Sequence, residues 1–523
     1  MAFIRGLAIL LGIVAVLHVA SAAADGDAID KTAEHHSPQQ ADQDLELLQD
    51  LDDELQSVPG NQGISPQQAE DLDLFEELEQ EPSGSSREGA LSVFNDIGAN
   101  LSAKVLLTGS HFLHDVDKDR NPLAENDRDL GLGRLELSTW IGGDTWRAQT
   151  SGWIEAGTQE DTWIGGIEWP QDKDYRRRYG EATELYLTLF GEAGDVAIGK
   201  KLLQNGVAAL YSPANQYGSY DFHDPSQPQE MGRWQIRANR YIGGITLTGA
   251  ILPVFQPIKF PGKHSRWTAL YTAADVSDEE IDYADFVNFG RFDVDDAEDM
   301  QIRVDTPDVE LENVGYFARA NTSLHGWDVF VSAFYGLSLY DVIEQESENH
   351  FVIKPTKTVN VASGFSTTVK NVEIHAEGVV NYSPESNDDD FMSYVGGATV
   401  KMDDLARAIH LDQIVLTAEY AGEWLIDPQS ADNYVVSSED VRIGTNDIIC
   451  HLDFRVNDRL NFEVFYNFEL KNDGVFQRYQ GRRKLFRELW ISLSLDVFSG
   501  AAESYYGRWD KNDRAALTLE YAF

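Results

Sequence analysis

Cysteine is almost missing from this chain of 523 residues, which contains only Cys450. A single cysteine cannot form a disulfide within the chain, and it cannot build the Cys/His clusters that hold structural metals. Cys450 also lies far from the N-terminal region, where a lipid-anchor cysteine would follow a cleaved signal. We therefore expect Cys450 to be an ordinary apolar residue of a strand.

Long apolar runs are also missing after the first 24 residues. A membrane-spanning helix needs about 20 consecutive apolar residues, and the longest run, Leu7 to Ala20, is shorter. This run follows Arg5 and precedes the small residues 20–24, which is the pattern of a secretory signal. We predict that residues 1–24 are a cleaved signal peptide and that the mature protein contains no membrane-spanning helix.

Positive charge is scarce, because 41 lysines and arginines stand against 88 aspartates and glutamates, for a formal net charge of −47. Such a chain repels the phosphate backbone of nucleic acid, so we predict no nucleic-acid partner. An acidic surface commonly serves solubility. The alternative interpretation is attraction of cations.

The acidity is concentrated in residues 25–90, which carry 19 acidic and 2 basic side chains. Leu48, Leu51 and Leu55 have helical spacing, and PSGSS at 82–86 is typical of a flexible linker. We predict a periplasmic segment that is partly helical or disordered. The alternative interpretation is a pair of helices that docks a periplasmic partner.

Residues 91–523 have a different pattern, in which apolar and polar residues alternate. The segments IVLTAEYAGEW at 414–424 and LNFEVFYNFEL at 460–470 are examples. Alternation with a period of two is the signature of β-strands. Large charged side chains occupy the second face of many of these strands, so we predict an almost all-β region with two chemically different faces.

The predicted strands are joined alternately by short and long connections. The short turns fall at 141–144, 191–194, 241–244, 325–326, 370–371 and 456–459. The long loops fall at 113–130, 158–180, 204–231, 255–311, 343–356, 426–442 and 472–484. Bacterial outer-membrane barrels have short periplasmic turns, longer outside loops and an even number of strands. We predict a transmembrane antiparallel β-barrel of about 18 strands (16–18), in the outer membrane of a Gram-negative cell.

Two connections fit this alternation poorly. Residues 403–411 are long for a turn and contain the short helical pattern DDLARAI, and the outside loop near Asp510–Asp513 is short. Large soluble β-proteins are the alternative, but the chain shows no repeat of propeller-blade length and is too long for one sandwich. The barrel therefore remains the prediction.

The chain ends in the alternating strand RAALTLEYAF, which stops at Phe523. Because an unpaired strand edge does not survive in lipid, we expect this strand to pair with the first strand, near 100–112. Outer-membrane barrels commonly end in such an aromatic residue, which their assembly machinery recognises. That resemblance implies that the barrel-assembly machinery and outer-membrane lipid are partners of this chain.

Charged residues on the second face of the strands are the candidate pore-lining set. Rings of charged side chains control ion selectivity in pores. The alternative is that these charges pair across neighbouring strands and stabilise a wet lumen. The candidates are Arg134, Glu136, Arg147, Lys200, Arg233, Arg237, Glu419, Asp453, Arg455, Glu463 and Glu469.

Metal and catalytic sites have weak support. The segment DVDKDRNP at 115–122 places Asp115, Asp117 and Asp119 at the alternate spacing of a calcium loop. Its sixth position is Arg120 instead of glycine, and its twelfth is Asn126 instead of glutamate, so it is only a weak calcium candidate. The histidines are scattered and no nucleophile motif is present. We predict neither a cofactor nor an enzymatic activity.

Two stretches, ENDRDLGLGRLELSTWIGGDTW at 125–146 and YRRRYGEATELYLTLFGEAGDVAIGKKLL at 175–203, resemble the alginate export family of outer-membrane barrels. The resemblance implies a monomeric barrel of about 18 strands that exports an anionic polysaccharide through an arginine-rich constriction. Ser138, Thr183 and Leu202 stand where that family has lumen arginines, whereas Lys200 keeps one positive charge. We therefore carry over the fold and the transport class, but not alginate as the substrate.

These observations predict a passive outer-membrane channel for polar solutes or polysaccharide. Two alternatives stay open: a diffusion porin for small solutes, and a closed barrel with a structural or adhesive role. The sequence leaves the transported substrate and the ion selectivity undetermined. It also leaves undetermined whether the loop at 255–311 plugs the pore, and whether the barrel is a monomer or a trimer.

Overall fold

The computed structural model describes residues 100–523 with one long gap, 268–300, and several short ones. The short gaps are 117, 119–123, 160–161, 168–169, 171, 173, 175, 216, 263, 348–349, 430–433, 437–441 and 502–503. The described residues belong to the second of two compact units, Ile64–Phe523. The predicted signal peptide (1–24) and acidic segment (25–90) lie outside the described residues.

The first half of the barrel wall consists of nine strands, each of which runs antiparallel to the next. They are β1 (Ser102–Phe112), β2 (Asp129–Gly143), β3 (Trp146–Gly157), β4 (Gly180–Gly191), β5 (Gly194–Lys201), β6 (Arg233–Ile242), β7 (Ile245–Leu252), β8 (Gly315–Leu324) and β9 (Trp327–Ser347).

The second half continues in the same antiparallel order. Its strands are β10 (His350–Val369), β11 (Val372–Tyr382), β12 (Asp390–Lys401), β13 (Gln413–Asp427), β14 (Asn446–Asn457), β15 (Leu460–Glu469), β16 (Val475–Phe486), β17 (Leu489–Ser499) and β18 (Arg514–Ala522). Short additional strands at 301–304 and 434–436 pair with β10 and β9.

The barrel closes where the sequence predicts. Strand β18 pairs with β1 in antiparallel register, from Lys104 opposite Ala522 to Phe112 opposite Arg514. The result is a closed antiparallel barrel of 18 strands, in which every wall strand has two neighbours. The predicted fold class and the predicted role of the terminal strand in closure are confirmed.

One end of the barrel carries the short connections, and we call it the turn side. The turn at Gly243–Gly244 shows why these sequences reverse direction, because both residues have positive φ, 57° and 86°. Paired positive φ values match the twist of a two-residue hairpin, and glycine adopts them without strain. The longer connection on this side contains the helix α1 (Asp403–Ala408), as its helical pattern predicts.

The opposite end, which we call the loop side, differs from the prediction in three places. The predicted loop at 343–356 is largely strand, because β9 and β10 extend through it. The predicted loop at 472–484 reduces to 470–474, because β16 begins at Val475. The supposedly short loop near Asp510–Asp513 spans 500–513 and contains a 3₁₀ turn at Gly507–Trp509.

The errors at 343–356 and 472–484 have a common physical cause. The segment VFQRYQGRRKLF of β16 contains so many polar residues that its alternation is weak, yet Arg478 points inward and forms an ion pair with Asp496 on β17. A strand that is polar on one face and mixed on the other lacks the clean period of two on which sequence interpretation relies.

The two faces of the wall differ sharply. On β18 the side chains of Leu517 and Leu519 are exposed on the outside, whereas Arg514 is buried on the inside. The exposed apolar side chains of other wall strands, among them Leu187 on β4, Ile198 on β5 and Val331 on β9, face outward in the same way. No helix in the described part of the chain is long and apolar enough to cross a membrane.

Candidate functional site

The interior of the barrel is crossed by the connection between β5 and β6, residues 202–232, which we call the inner loop. Its two ends join neighbouring strands, yet its hydrogen-bond partners lie on distant walls: Ser332 on β9, Glu377 on β11, Glu419 on β13 and Arg514 on β18. A segment that reaches all these inward-facing side chains must pass through the lumen. The inner loop therefore lies where passing molecules would meet it.

The first attachment of the inner loop is the carboxylate of Glu377. It accepts hydrogen bonds from the backbone N–H groups of Val207, Ala208 and Ala214, at 2.6, 3.2 and 3.2 Å, and from the Ser212 hydroxyl at 2.5 Å. Glu377 is buried beneath the loop. Bonds from a donor to an ionised acceptor contribute about 1.5–3 kcal/mol each, so this one side chain holds the loop firmly.

Glu419, two strands away on β13, holds the adjoining part of the loop. Its Oε1 accepts the N–H groups of Ala209 and Leu210 at 2.7 and 3.0 Å, and its Oε2 accepts that of Tyr211 at 2.9 Å. His375 on β11 contacts Glu419 Oε1 through Nε2 at 2.8 Å. Glu377, His375 and Glu419 together form the first anchor.

The first anchor is needed because the mainly apolar segment Val207–Tyr211 offers no side-chain carboxylate or amide to accept its own backbone N–H groups. Its apolar side chains pack against the inward faces of the wall, where Ala214 and Val207 contact Phe330 and Val379. Backbone N–H groups that are removed from water must find acceptors. The wall carboxylates supply those acceptors.

The second anchor uses side chains on both partners. Asp224 of the inner loop forms an ion pair with Arg514 on β18 at 2.6 Å, and Arg514 also pairs with Asp496 on β17 at 2.8 Å. Arg478 on β16 pairs with Asp496 at 2.6 Å and donates to the Ser226 hydroxyl at 3.2 Å. Burial alone would raise the pKa of Asp224, but Arg514, Ser226 and Arg478 outweigh it and hold that pKa below its usual value.

A third link joins the inner loop to the loop between β3 and β4. Arg177 of that loop bonds Glu155 on β3 at 2.8 Å and Asp221 of the inner loop at 2.5 Å. Burial opposes the charge of Arg177, yet the two carboxylates raise its pKa above the ordinary value. Burial, with Arg177 nearby, lowers the pKa of His223 to about 4, so this histidine is neutral at pH 7.

The first part of the connection after β7, over the described residues 253–262 and 264–267, also folds inward. Lys259 pairs with the inner loop through backbone hydrogen bonds to Tyr220 and Phe222. Trp267 packs in an aromatic cluster with Phe112, Phe476, Phe498, Tyr506 and Trp509. This first part of the predicted 255–311 loop therefore occupies the lumen, whereas 268–300 lie outside the described residues.

Open space remains beside the inner loop. A cavity of about 410 Å³ lies between the wall strands β1–β4 and residues 229–231 of the loop. It is lined by Lys104, Arg134, Glu136 and Glu230. Burial raises the pKa of Glu230 to about 7, so this carboxyl group carries only part of its charge at neutral pH. The lumen is thus narrowed and lined with both signs of charge.

Most of the sequence-predicted pore residues have partners in the lumen. Arg134 bonds Glu155 at 2.6 Å, Glu136 pairs with Lys104 at 3.0 Å, and Lys200 pairs with Glu181 at 3.2 Å. His451 lies 3.6 Å from Glu463. Arg233 donates to the backbone carbonyl of Tyr217, and Arg237 to that of Leu202.

The remaining candidates have different surroundings. Arg147 stacks on Trp140 with 4.5 Å between its guanidinium carbon and the ring centre, and Arg455 is exposed near the turn side. Asp453 lies directly opposite Glu463, and Glu469 accepts the N–H of Tyr505. Glu419 is covered by the inner loop. The candidates are distributed over the whole height of the lumen and do not form one ring, and their role in selectivity stays a prediction.

Apart from Glu419, the sequence interpretation missed the residues that hold the inner loop. Glu377, Arg478, Asp496 and Arg514 follow the same inward alternation as the predicted set, so their spacing contained a usable signal. Asp221 and Asp224 lie in the loop, where no periodicity exists. Nothing in the composition of Val207–Tyr211 indicates that its backbone is the contact.

Comparison with known proteins gives structural neighbours only. No protein-family model matches the chain, and no curated protein matches it. OccK2 (OpdF) of Pseudomonas aeruginosa, solved in complex with glucuronate, is 11% identical, with 81% of this chain and 97% of that chain covered and a TM-score of 0.43.

Two further neighbours show similar values. OpdK of Pseudomonas aeruginosa, solved with vanillate, is 11% identical over 81% of this chain and 99% of that chain, with a TM-score of 0.40. A triple mutant of the Rhodopseudomonas blastica porin is 9% identical over the same shares, with a TM-score of 0.32. The fold of this chain rests on its own strand pairing, and its resemblance to the alginate export family remains a prediction.

The predicted calcium candidate is only partly within the described residues. Asp115 pairs with Arg128 at 2.8 Å, and Asp117 and Asp119 lie outside the described residues. Within the described part of the chain, no group of three or more His, Cys, Asp or Glu side chains is arranged to hold a metal ion.

Proposed function

We propose that this protein is an outer-membrane channel through which small polar solutes diffuse passively. The observation that carries the proposal is a closed barrel with an apolar outer face, whose lumen is polar and narrowed by the anchored inner loop. Each part has a physical role, and together they require no covalent chemistry.

The outer face and the closed edge fit a lipid environment. Lipid offers no hydrogen-bond partners, so a spanning sheet must close on itself, as β1 and β18 do here. Apolar side chains such as Leu187, Ile236 and Leu517 are exposed on the outside. A band of this kind would be costly in water and is expected in a bilayer. The turn side would then face the periplasm.

The lumen below the inner loop offers polar partners to a passing solute. The ion pairs Lys104–Glu136 and Arg482–Glu520 remain partly exposed there, with side-chain exposures of 39% and 32% for the first pair and 31% and 20% for the second. Such groups can replace part of the water that a solute loses on entering a narrow passage.

The inner loop favours small solutes over a polymer. It crosses from β5 to β13 and to β18, and buried charge-assisted contacts hold it at both places. A polysaccharide chain would have to pass beside a segment that is fixed across the lumen. Polysaccharide export, and docking of a periplasmic partner through residues 25–90, therefore remain predictions that the proposal does not need.

Liposome swelling tests the proposal. The purified full-length chain is reconstituted into liposomes, and swelling is measured in uncharged sugars of increasing size. We expect rapid entry of monosaccharides and a steep decline for larger oligosaccharides. If none of the sugars caused swelling, the proposal of a diffusion channel would be contradicted. If long oligosaccharides entered as fast as monosaccharides, a polymer conduit would be favoured instead.

A further inference from the structure

A pair of acidic side chains faces each other inside the loop-side end of the barrel. Asp447, at the start of β14, lies directly opposite Glu469, at the end of β15. Both side chains are buried, with 4% and 6% of their residue surfaces exposed. Like charges at directly opposed positions of a sheet repel each other, and burial strengthens the repulsion.

No cation compensates this pair within the described residues. Neither Asp447 nor Glu469 forms an ion pair there, and Arg442 on the neighbouring connection is committed to Glu423 and Asp389 at 2.6 and 3.6 Å. The carboxylates receive only neutral donors: the N–H of Asn446 and the side-chain amide of Asn467 for Asp447, and the N–H of Tyr505 and the amide of Asn472 for Glu469. Neutral donors do not balance two buried negative charges.

A third oxygen belongs to Asn467, whose side-chain amide also bonds Asp447. Asn467 stands two residues before Glu469 on the same face of β15, and Asp447 is its diagonal neighbour across the ladder. Asn467 is 5% exposed, its Nδ2 donates to the Tyr506 hydroxyl at 3.3 Å, and its Oδ1 is buried without a hydrogen-bond partner. A buried amide oxygen without a donor is itself costly.

We propose that Asp447, Glu469 and Asn467 form a binding site for a divalent cation of the calcium type. Two carboxylates and an amide carbonyl are hard oxygen ligands, which calcium accepts in flexible geometry together with water. The set contains no thiolate or imidazole, which argues against zinc or copper. A cation here would neutralise the buried pair and satisfy the unpartnered oxygen.

The site also has a structural consequence. Tyr505 and Tyr506 of the 500–513 connection contact Glu469 and Asn467, and Tyr506 belongs to the aromatic cluster that contains Trp267. A cation would therefore fasten this connection to β14 and β15. The site requires only the folded barrel, so it holds whether or not the channel proposal is correct.

Terbium luminescence tests the site, because the neighbouring tyrosines can sensitise a bound lanthanide. The full-length protein is titrated with Tb³⁺ in detergent, and Ca²⁺ is then added as a competitor. We expect a saturable emission that Ca²⁺ displaces, and at least about tenfold weaker binding in Asp447→Asn and in Glu469→Gln, since ligand charge sets the affinity of such sites.

Asp453→Asn is the matched control. Asp453 and Glu463 are also directly opposed carboxylates on β14 and β15, but His451 lies 3.6 Å from Glu463, and Glu463 is 35% exposed. We expect this variant to bind Tb³⁺ like the wild type. Emission that is insensitive to Asp447→Asn and Glu469→Gln would overturn the proposal, since the signal would then arise elsewhere, for instance in the acidic residues 25–90.

Thermal unfolding supplies a second measurement. Ca²⁺ should raise the unfolding temperature of the wild type and of Asp453→Asn, and leave that of Asp447→Asn unchanged. If the two carboxyl groups instead share a proton, Ca²⁺ would leave the unfolding temperature of all three proteins unchanged, and the proposal would fail. Each variant's unfolding transition without Ca²⁺ verifies that it folds.

Discussion

The two anchors of the inner loop hold the same segment by opposite means. At the first anchor the charges, Glu377 and Glu419, belong to the wall, and the loop contributes backbone N–H groups. At the second anchor the loop contributes its own charged residue, Asp224, which forms an ion pair with Arg514 of the wall. The first contact is insensitive to the identity of most loop side chains, whereas the second depends on particular side chains in both partners.

This difference indicates how the loop sequence can vary. Residues 207–211 need only be small or apolar enough to pack against the wall, because their side chains do not form the hydrogen bonds. Asp224 has no such freedom, since its loss would leave Arg514 with less compensation in a buried place. The predictions below separate the two kinds of contact.

The largest effect is expected from Arg514→Met, which removes the buried cation at the second anchor and nearly keeps its length. Asp224 then loses its salt-bridge partner, and Asp496 keeps only Arg478. Breaking a buried pair on one side costs about 3–5 kcal/mol. Urea unfolding in detergent should show a loss of that size.

Arg482→Met is the control for this substitution. Arg482 pairs with Glu520 on the lumen surface, where both side chains are partly exposed. A pair of this kind contributes about 1 kcal/mol or less. Equal losses for the two arginine variants would contradict the distinct role assigned to Arg514.

The next largest effect is expected from the double variant Glu377→Gln with Glu419→Gln. An amide keeps the size of the side chain but loses its charge and one acceptor oxygen, so the loop's N–H groups are satisfied less well. We expect a loss of about 2–4 kcal/mol in anchoring. In liposome swelling, the released loop should admit larger sugars than the wild type admits.

Glu463→Gln makes the same chemical change at a lumen position that has no contact with the inner loop among the described residues. Its size limit for sugars should match that of the wild type. A double variant with an unchanged size limit would show that the inner loop does not set the width of the passage.

A pH effect should distinguish the second anchor from the control positions. The pKa of Asp224 in the folded protein lies below its ordinary value of 3.8. A depressed carboxyl pKa stabilises the anchored state above pH 3.8, and this contribution is lost as the pH falls through the folded pKa. Protease accessibility of the inner loop should therefore stay low at pH 5–7 and rise only in strong acid.

Asp224→Asn removes the titrating group and should abolish this rise, since the variant's second anchor is weakened at every pH. A wild-type loop that becomes accessible between pH 5 and 7 would point to a different titrating group.

The smallest effect is expected from Ser212→Ala. Ser212 supplies the one side-chain hydroxyl among the bonds to Glu377, and the backbone donors remain. The cost should be about 0.5–1.5 kcal/mol, the usual net value of one hydrogen bond. A loss as large as that of the glutamate double variant would mean that the side chain, and not the backbone, carries the first anchor.

The strands of the barrel wall could be predicted from the sequence because the pattern that specifies them is local and periodic. Alternation along β13 and β15 and the tight turns at 243–244 and 325–326 each reflect geometry that repeats every two residues. The closure by the terminal strand followed from the impossibility of an open edge in lipid. The prediction failed at 343–356 and 472–484, where one face of the strand is polar and the other is mixed, so that the period of two is hidden.

The inner loop could not be predicted in the same way. Its position depends on contacts between residues 207–211 and side chains about 170 to 210 positions later in the chain, and it uses backbone groups that every residue possesses. The prediction of Glu419 as an inward residue was useful, but its role as an anchor required the fold. The spacing of the predicted pore-lining residues also did not reveal that they are distributed over the whole height of the lumen.

Single-channel recording of the full-length protein in a planar bilayer tests the central claim most directly, that the barrel is a water-filled passage whose width the inner loop sets. The account predicts uniform conductance steps for the wild type and larger steps for the Glu377→Gln and Glu419→Gln double variant. The account would be contradicted if the wild type inserted into the bilayer but passed no current. It would also be contradicted if the conductance steps of the double variant were as large as those of the wild type.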